Sequence, residues 1–118
     1  MIYYTINSDT QLTVGEAVEL TDSGAKVTQL TSGTPAGIVM SSVETGESTN
    51  IWANKVYVAG GGGTNMVLSS SWDGTLTRFE YDGARVRPVT SGGVGWLIPD
   101  YPATARNAGD VVKGSLYS

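Results

Sequence analysis

The sequence has no cysteine and no histidine, one phenylalanine and four prolines in 118 residues, and only 15% of its side chains are charged. Each shortage excludes a class of chemistry. Without cysteine there is no disulfide framework, thiolate zinc site, iron–sulfur cluster or cysteine nucleophile. Without histidine the chain lacks the commonest general base at neutral pH, the usual metal ligand and the Ser-His-Asp arrangement. Seven scattered cations face eleven carboxylates, a net charge of -4. That balance argues against a sequence-independent nucleic-acid binder, which neutralises phosphates with clustered Lys and Arg. Apolar residues make up 40% of the chain but never run to the roughly 18 uninterrupted positions of a membrane helix. The opening Met1-Ile2-Tyr3-Tyr4-Thr5 has no basic region, apolar stretch or cleavage site of a signal peptide, so a soluble product made in the cytoplasm is expected.

Glycine is what the chain has in quantity, with 16 residues, and Ser, Thr and Val are frequent. This composition favours pleated strands joined by tight turns. Polar and apolar residues alternate in Lys26-Val27-Thr28-Gln29-Leu30, in Asn54-Lys55-Val56-Tyr57-Val58 and, less regularly, in Ala17-Val18-Glu19-Leu20. Asp22-Ser23-Gly24, Ser32-Gly33-Thr34-Pro35, Glu44-Thr45-Gly46-Glu47, Asp73-Gly74 and Asp82-Gly83 supply turn chemistry between such runs. The pattern predicts an all-β protein of about ten short strands with little or no helix. At most one helical turn is expected over residues 103–108, after Pro102.

The chain also resembles itself. Gly24-Ala25-Lys26-Val27 through Thr31-Ser32-Gly33 aligns with Gly83-Ala84-Arg85-Val86 through Thr90-Ser91-Gly92 at an offset of 59 residues. Gly15 falls on Gly74 at the same offset, and a slip of one residue brings Gly37-Ile38-Val39 onto Gly95-Trp96-Leu97. Four consecutive glycines, Gly60 to Gly63, lie between the copies and read as a flexible connector. The expected organisation is a first β sub-unit with an N-terminal arm over 1–59, a connector over 60–65 and a similar sub-unit over 66–118. The two would pack as a β-sandwich or as paired small barrels.

Candidate chemistry is sparse. Glu16 with Glu19, Glu44 with Glu47, and Asp73 with Asp82 are the carboxylate pairs a glycosidase would need, and all read more simply as turn formers and solvated charge. No three acids come together at calcium-loop spacing. No catalytic, cofactor-binding or metal-ligating residue is assigned, and no enzyme activity is expected. The aromatics carry the remaining signal. Trp52 and Trp96 sit in apolar stretches and are expected in the core, whereas Trp72, between Ser71 and Asp73, is expected to be exposed. The apolar chain ends invite cover by a partner, the N-terminal strand by adding to a partner's sheet edge. The protein-interface candidates are therefore Ile2, Tyr3, Tyr4, Trp72, Tyr101, Leu116 and Tyr117. On that reading, removing residues 1–6 would leave a folded domain that no longer attaches.

The segments Val14-Gly15-Glu16-Ala17-Val18-Glu19-Leu20, Gly24-Ala25-Lys26-Val27, Gly37-Ile38-Val39-Met40-Ser41-Ser42 and Thr45-Gly46-Glu47, followed by Val56-Tyr57-Val58-Ala59-Gly60, resemble the small capsid decoration, or cement, proteins of tailed bacteriophages. The resemblance covers residues 12–60, and 74–117 through the internal copy. It implies a structural virion protein on the capsid exterior, bound to the major capsid protein and holding neighbouring capsid subunits together, without cofactor, nucleic acid or membrane. It also implies a homo-oligomer, commonly a trimer; the second copy within one chain makes a dimer the alternative. A carbohydrate-binding or adhesive module of a phage head fibre or tail, stacking sugars on Trp72 or the tyrosines, is the competing function.

Overall fold

A computed structural model describes residues 1–46 and 50–116 of the chain. Its ten strands are β1 (Ile2–Ser8), β2 (Ala17–Thr21), β3 (Lys26–Gln29), β4 (Pro35–Glu44), β5 (Trp52–Ala59), β6 (Thr64–Val67), β7 (Thr77–Asp82), β8 (Arg85–Val89), β9 (Gly95–Ile98) and β10 (Val111–Leu116), with one 3-10 turn over Asp22–Gly24. The fold is all-β, as the alternation predicts. The helical turn expected over residues 103–108 is absent; Arg106 there makes an isolated antiparallel bridge to Trp72. Its amide donates to the Trp72 carbonyl at 2.8 Å, a bond that holds this segment extended.

Strands β1 to β5 form a closed barrel in the order β1-β3-β2-β4-β5, and β6 to β10 form an open sheet in the order β6-β10-β9-β7-β8. Shifting β1 to β5 by 59 residues lands each on β6 to β10 in turn. Strand neighbours are preserved as well. In both halves the fifth strand pairs with the first and the fourth, and the second pairs with the third and the fourth. The difference lies at one seam. In the first half the first and third strands meet through the parallel pair Asn7↔Lys26. In the second half only an isolated parallel bridge, Leu68↔Val86, remains, with the Ser69 amide on the Val86 carbonyl at 2.8 Å.

Side-chain alternation sends Val18, Val27, Val39 and Val56 into the first barrel, where they pack with Leu12. Asn54 is also buried there; its amide nitrogen donates to the Ile6 carbonyl and to Ser8 Oγ at 3.0 Å, while its Oδ1 is buried without a hydrogen-bond partner among the described residues. A second cluster joins the interior of the other half (Met66, Leu68, Trp72, Phe79, Val86, Leu97 and Val112) to Ala17, Leu30, Ile38 and Tyr57 of the first. Ala17, Ile38 and Tyr57 are cross-strand neighbours on the barrel's outer surface. That surface is therefore core, and the two halves share it.

The glycine-rich connector is a turn anchored at its two ends, Gly60 and Gly63. Tyr57 Oη donates to the Gly60 carbonyl at 2.9 Å, and β6 already begins at Thr64, inside the stretch assigned to the connector from sequence. Gly63 is buried with φ of +62°, and a Cβ there would collide with the Gly114 carbonyl. Gly61 has open space around it and no positive φ. Gly63→Ala is expected to cost about 2 kcal/mol or more, and Gly61→Ala less than about 0.5 kcal/mol. Denaturant unfolding of the two variants checks this; equal stability would mean that the connector is as loose as its composition implies.

Candidate interaction surfaces

Strands β1 and β3 share one register pair, so the rest of β1 splays away from the neighbouring wall. The splay leaves a slot of about 630 Å³ in the side of the barrel, lined by Tyr4, Ile6, Leu20, Pro35, Ala36 and Val58 among others. Leu20 follows the inward alternation of Val18 but lies beyond the covered part of the barrel and is 54% exposed. Tyr4 reaches across the slot, its hydroxyl donating to the Ala36 carbonyl at 3.2 Å, and burial raises its pKa. Glu19 closes one rim by accepting the Gly33 amide at 2.8 Å and the Thr31 amide at 3.4 Å, which ties down the loop leading into β4. Pro35, Ala36 and Val58 also line a cleft of about 310 Å³ at the waist, whose far wall is Tyr81, Val94 and Leu116. Slot and cleft are thus one apolar groove running from the first barrel to the second sheet.

A groove elsewhere in the second half has different chemistry. It encloses about 570 Å³ and is lined by Ser71, Trp72, Asp73, Thr77, Glu80 and Arg87, with Pro88, Val89 and Thr90. Arg87 Nε donates to Glu80 Oε1 at 2.7 Å, and this pairing raises the arginine's pKa. Asp73 accepts both the amide and the hydroxyl of Thr75, which lowers its pKa, so its carboxylate holds the turn. Among the described residues no three His, Cys, Asp or Glu side chains gather as metal ligands. Ser23 and Lys26 stand at a Ser-x-x-Lys spacing, but Lys26 Nζ donates to Asp9 Oδ1 at 2.6 Å and its pKa is raised by that bond. A lysine held charged cannot act as a base.

The structure redistributes the residues singled out from sequence. Trp72 is 5% exposed, with its indole N–H donating to the Thr75 carbonyl at 2.9 Å; the expected exposed platform is core, because the turn at Asp73 folds the following strand back over the ring. Trp52 and Trp96, expected in the core, are half-buried: Trp96 lies on the outer face of β9, and Trp52 stands at the start of β5 on the same face as buried Asn54. Ile2 and Tyr3 are exposed, and Lys55 Nζ lies 4.1 Å from the Tyr3 ring centroid. Tyr4 and Leu116 line opposite ends of the groove, and the Leu116 amide donates to Tyr57 Oη at 3.1 Å. Tyr101 is fully exposed and lies apart from both, and Tyr117 lies outside the described residues. Leu20, Pro35, Ala36 and Val58 were missed. Alternation through Val18-x-Leu20 was the available signal for the first, but nothing local shows that its covering strand is absent.

The N-terminal strand is no free arm. β1 pairs with β5 from Ile2↔Ala59 to Ser8↔Trp52, which makes it an integral wall of the barrel. Deleting residues 1–6 is therefore expected to abolish cooperative unfolding and near-ultraviolet circular dichroism; a fully folded truncated chain would contradict the pairing. A second expectation concerns Tyr81, packed edge-on against Phe79 at 6.3 Å. Burial, with the Tyr57 hydroxyl adding to it, pushes its pKa from 10.0 to about 12. The folded state favours the neutral phenol, so the contribution is complete below the unfolded pKa and is lost as pH rises from about 10 through about 12, by up to about 2 kcal/mol. Denaturation midpoints between about pH 9 and about pH 12 should fall less steeply in Tyr81→Phe than in the parent chain.

No helix among the described residues is long and apolar enough to cross a membrane. The sequence matches no protein-family model and no curated protein.

Proposed function

We propose that the protein is a structural virion protein that binds the outer surface of a phage capsid through its major capsid protein and stabilises contacts between capsid subunits. The single observation that carries this reading is the continuous apolar groove, open on a doubled β body. Partly exposed Leu20 and Val58 in its wall lose water only when a partner covers them. The decoration-protein resemblance supports the same reading, because its quoted segments include Glu19, Leu20 and Val58 of the groove wall. Such work needs a rigid scaffold and a complementary patch, without any group that makes or breaks bonds. A protein that binds the assembled shell and not its dissociated subunits stabilises the shell by mass action, and several weak attachments per oligomer multiply the effect. The adhesive alternative loses its tryptophan platform, since Trp72 is buried.

Mixing the purified chain with expanded, undecorated capsids and counting bound copies tests the proposal. Saturable binding is expected. Val58→Asp, which places a carboxylate on the groove wall, should weaken attachment about tenfold or more while leaving the circular dichroism spectrum unchanged. Absence of binding by the parent chain to such shells would overturn the reading.

A further inference from the structure

The second sheet has an outer face that the shared core leaves uncovered. Phe79, Leu97 and Val112 point into that core, so the residues alternating with them point away from it. Register places Val89, Arg78, Trp96 and Ser115 in one row across β8, β7, β9 and β10, with Ile98 beside Lys113 in the next. Leu76, just before β7, is 61% exposed. Arg85 and Arg87 stand on the same face, opposite Asp82 and Glu80. Four cations thus face two carboxylates here, in a chain whose net charge is -4. Glu80 holds Arg87, whereas Arg78 and Lys113 make no ion pair among the described residues.

The chemistry of the face narrows what covers it. A sugar ring stacks on an open aromatic surface, but the Arg78 guanidinium carbon lies 5.2 Å from the Trp96 ring centroid and takes up that space. A phosphate backbone would meet Glu80 and Asp82 among the arginines, and two surplus cations displace only about two counterions, too few to hold it. A protein surface fits. Trp and Arg are over-represented at the centres of protein contacts, and Val89, Ile98 and Leu76 add apolar area beside them. The surplus positive charge calls for carboxylates on that partner. The chain's own net negative charge repels such a partner from its other sides, so the contact is oriented as well as favoured.

The face also lies on the far side of the sheet from the apolar groove. Tyr81 and Leu116 of the groove's far wall alternate with Glu80 and Ser115, and so point the opposite way. Both surfaces can be covered at once. Five strands of four to six residues, about 4.8 Å apart, give the face roughly 300–400 Å² in projection, well under the about 800 Å² per partner of a standard interface. Alone it makes a weak contact; once the groove is filled, effective concentration makes it count. With the capsid reading as its basis, we infer that the outer face of the second sheet is a second attachment surface, which seats on a carboxylate-bearing patch of a capsid subunit other than the one in the groove.

Affinity of the purified chain for expanded, undecorated capsids, measured at about 30 mM and about 300 mM salt, is the test. The parent chain should bind about tenfold more weakly at the higher salt. Arg78→Glu and Lys113→Glu should each lower affinity about tenfold at the lower salt and flatten the salt dependence, whereas Arg78→Lys, which keeps the charge, should preserve it. Shells whose exposed carboxylates have been amidated should bind the parent no better than they bind Arg78→Glu. Parent binding that neither reversal nor amidation weakens overturns the inference and leaves the capsid reading standing. No binding by the parent overturns both. Self-association of the isolated chain, or its binding of single-stranded DNA, that Arg78→Glu abolishes assigns the face to another occupant and overturns the inference too.

Discussion

The arrangement depends on a row of three side chains pointing out of a barrel. Ala17, Ile38 and Tyr57 lie side by side on β2, β4 and β5, all with no exposed surface, and the interior of the second half closes over them. An outward-facing apolar row on a small barrel is normally a liability in water. Here it is the common core. Burying Tyr57 alone stabilises the pair of halves by about 2 kcal/mol, and its hydroxyl is satisfied on both sides, donating to Gly60 and accepting from Leu116. Those two bonds also fix the connector and the final strand. The Ala17 amide adds a direct link by donating to the Ala84 carbonyl at 2.9 Å.

Because the halves share one core, the chain behaves as a doubled motif rather than as two beads on a string. Strand order is conserved between them, and the weak point is conserved too, at the parallel contact of first and third strands. A parallel pair cannot be joined by a tight hairpin, so nothing local reinforces that seam. The openings of the two halves differ in place and in chemistry. In the first half the opening exposes apolar side chains and adjoins the waist; in the second a groove beside β7 and β8 is lined by an ion pair and a carboxylate-capped turn. An opening arises where closure is incomplete, and its character follows from which residues the alternation leaves pointing into the gap.

Much of the fold was legible. The period-two runs at Lys26–Leu30 and Asn54–Val58 lie in or end at β3 and β5, because alternation is a local consequence of the pleat. Asp82-Gly83 joins β7 to β8 with a positive φ at the glycine, the conformation its lack of a Cβ permits. The candidate surface was less legible. Sequence neighbours misled for the tryptophans: flanking Ser71 and Asp73 say nothing about the strand that covers Trp72, while apolar flanks around Trp96 belong to the opposite face of β9. The N-terminal strand looked free because its partner, β5, lies about fifty residues away.

By itself the sequence determined the strand-and-turn character, the spacing of the two halves and the absence of thiol and imidazole chemistry, since all three depend on residue type and on separations along the chain. Only the tertiary structure decided which faces are covered: that an outer surface of the first barrel is core, that the glycine turn is packed at Gly60 and Gly63, that one seam is an apolar groove and that cations collect on one side of the second sheet. The physical reason is that burial and charge clustering are set by strands distant in sequence. A side chain's own neighbours give its direction relative to the pleat, but not what stands opposite it.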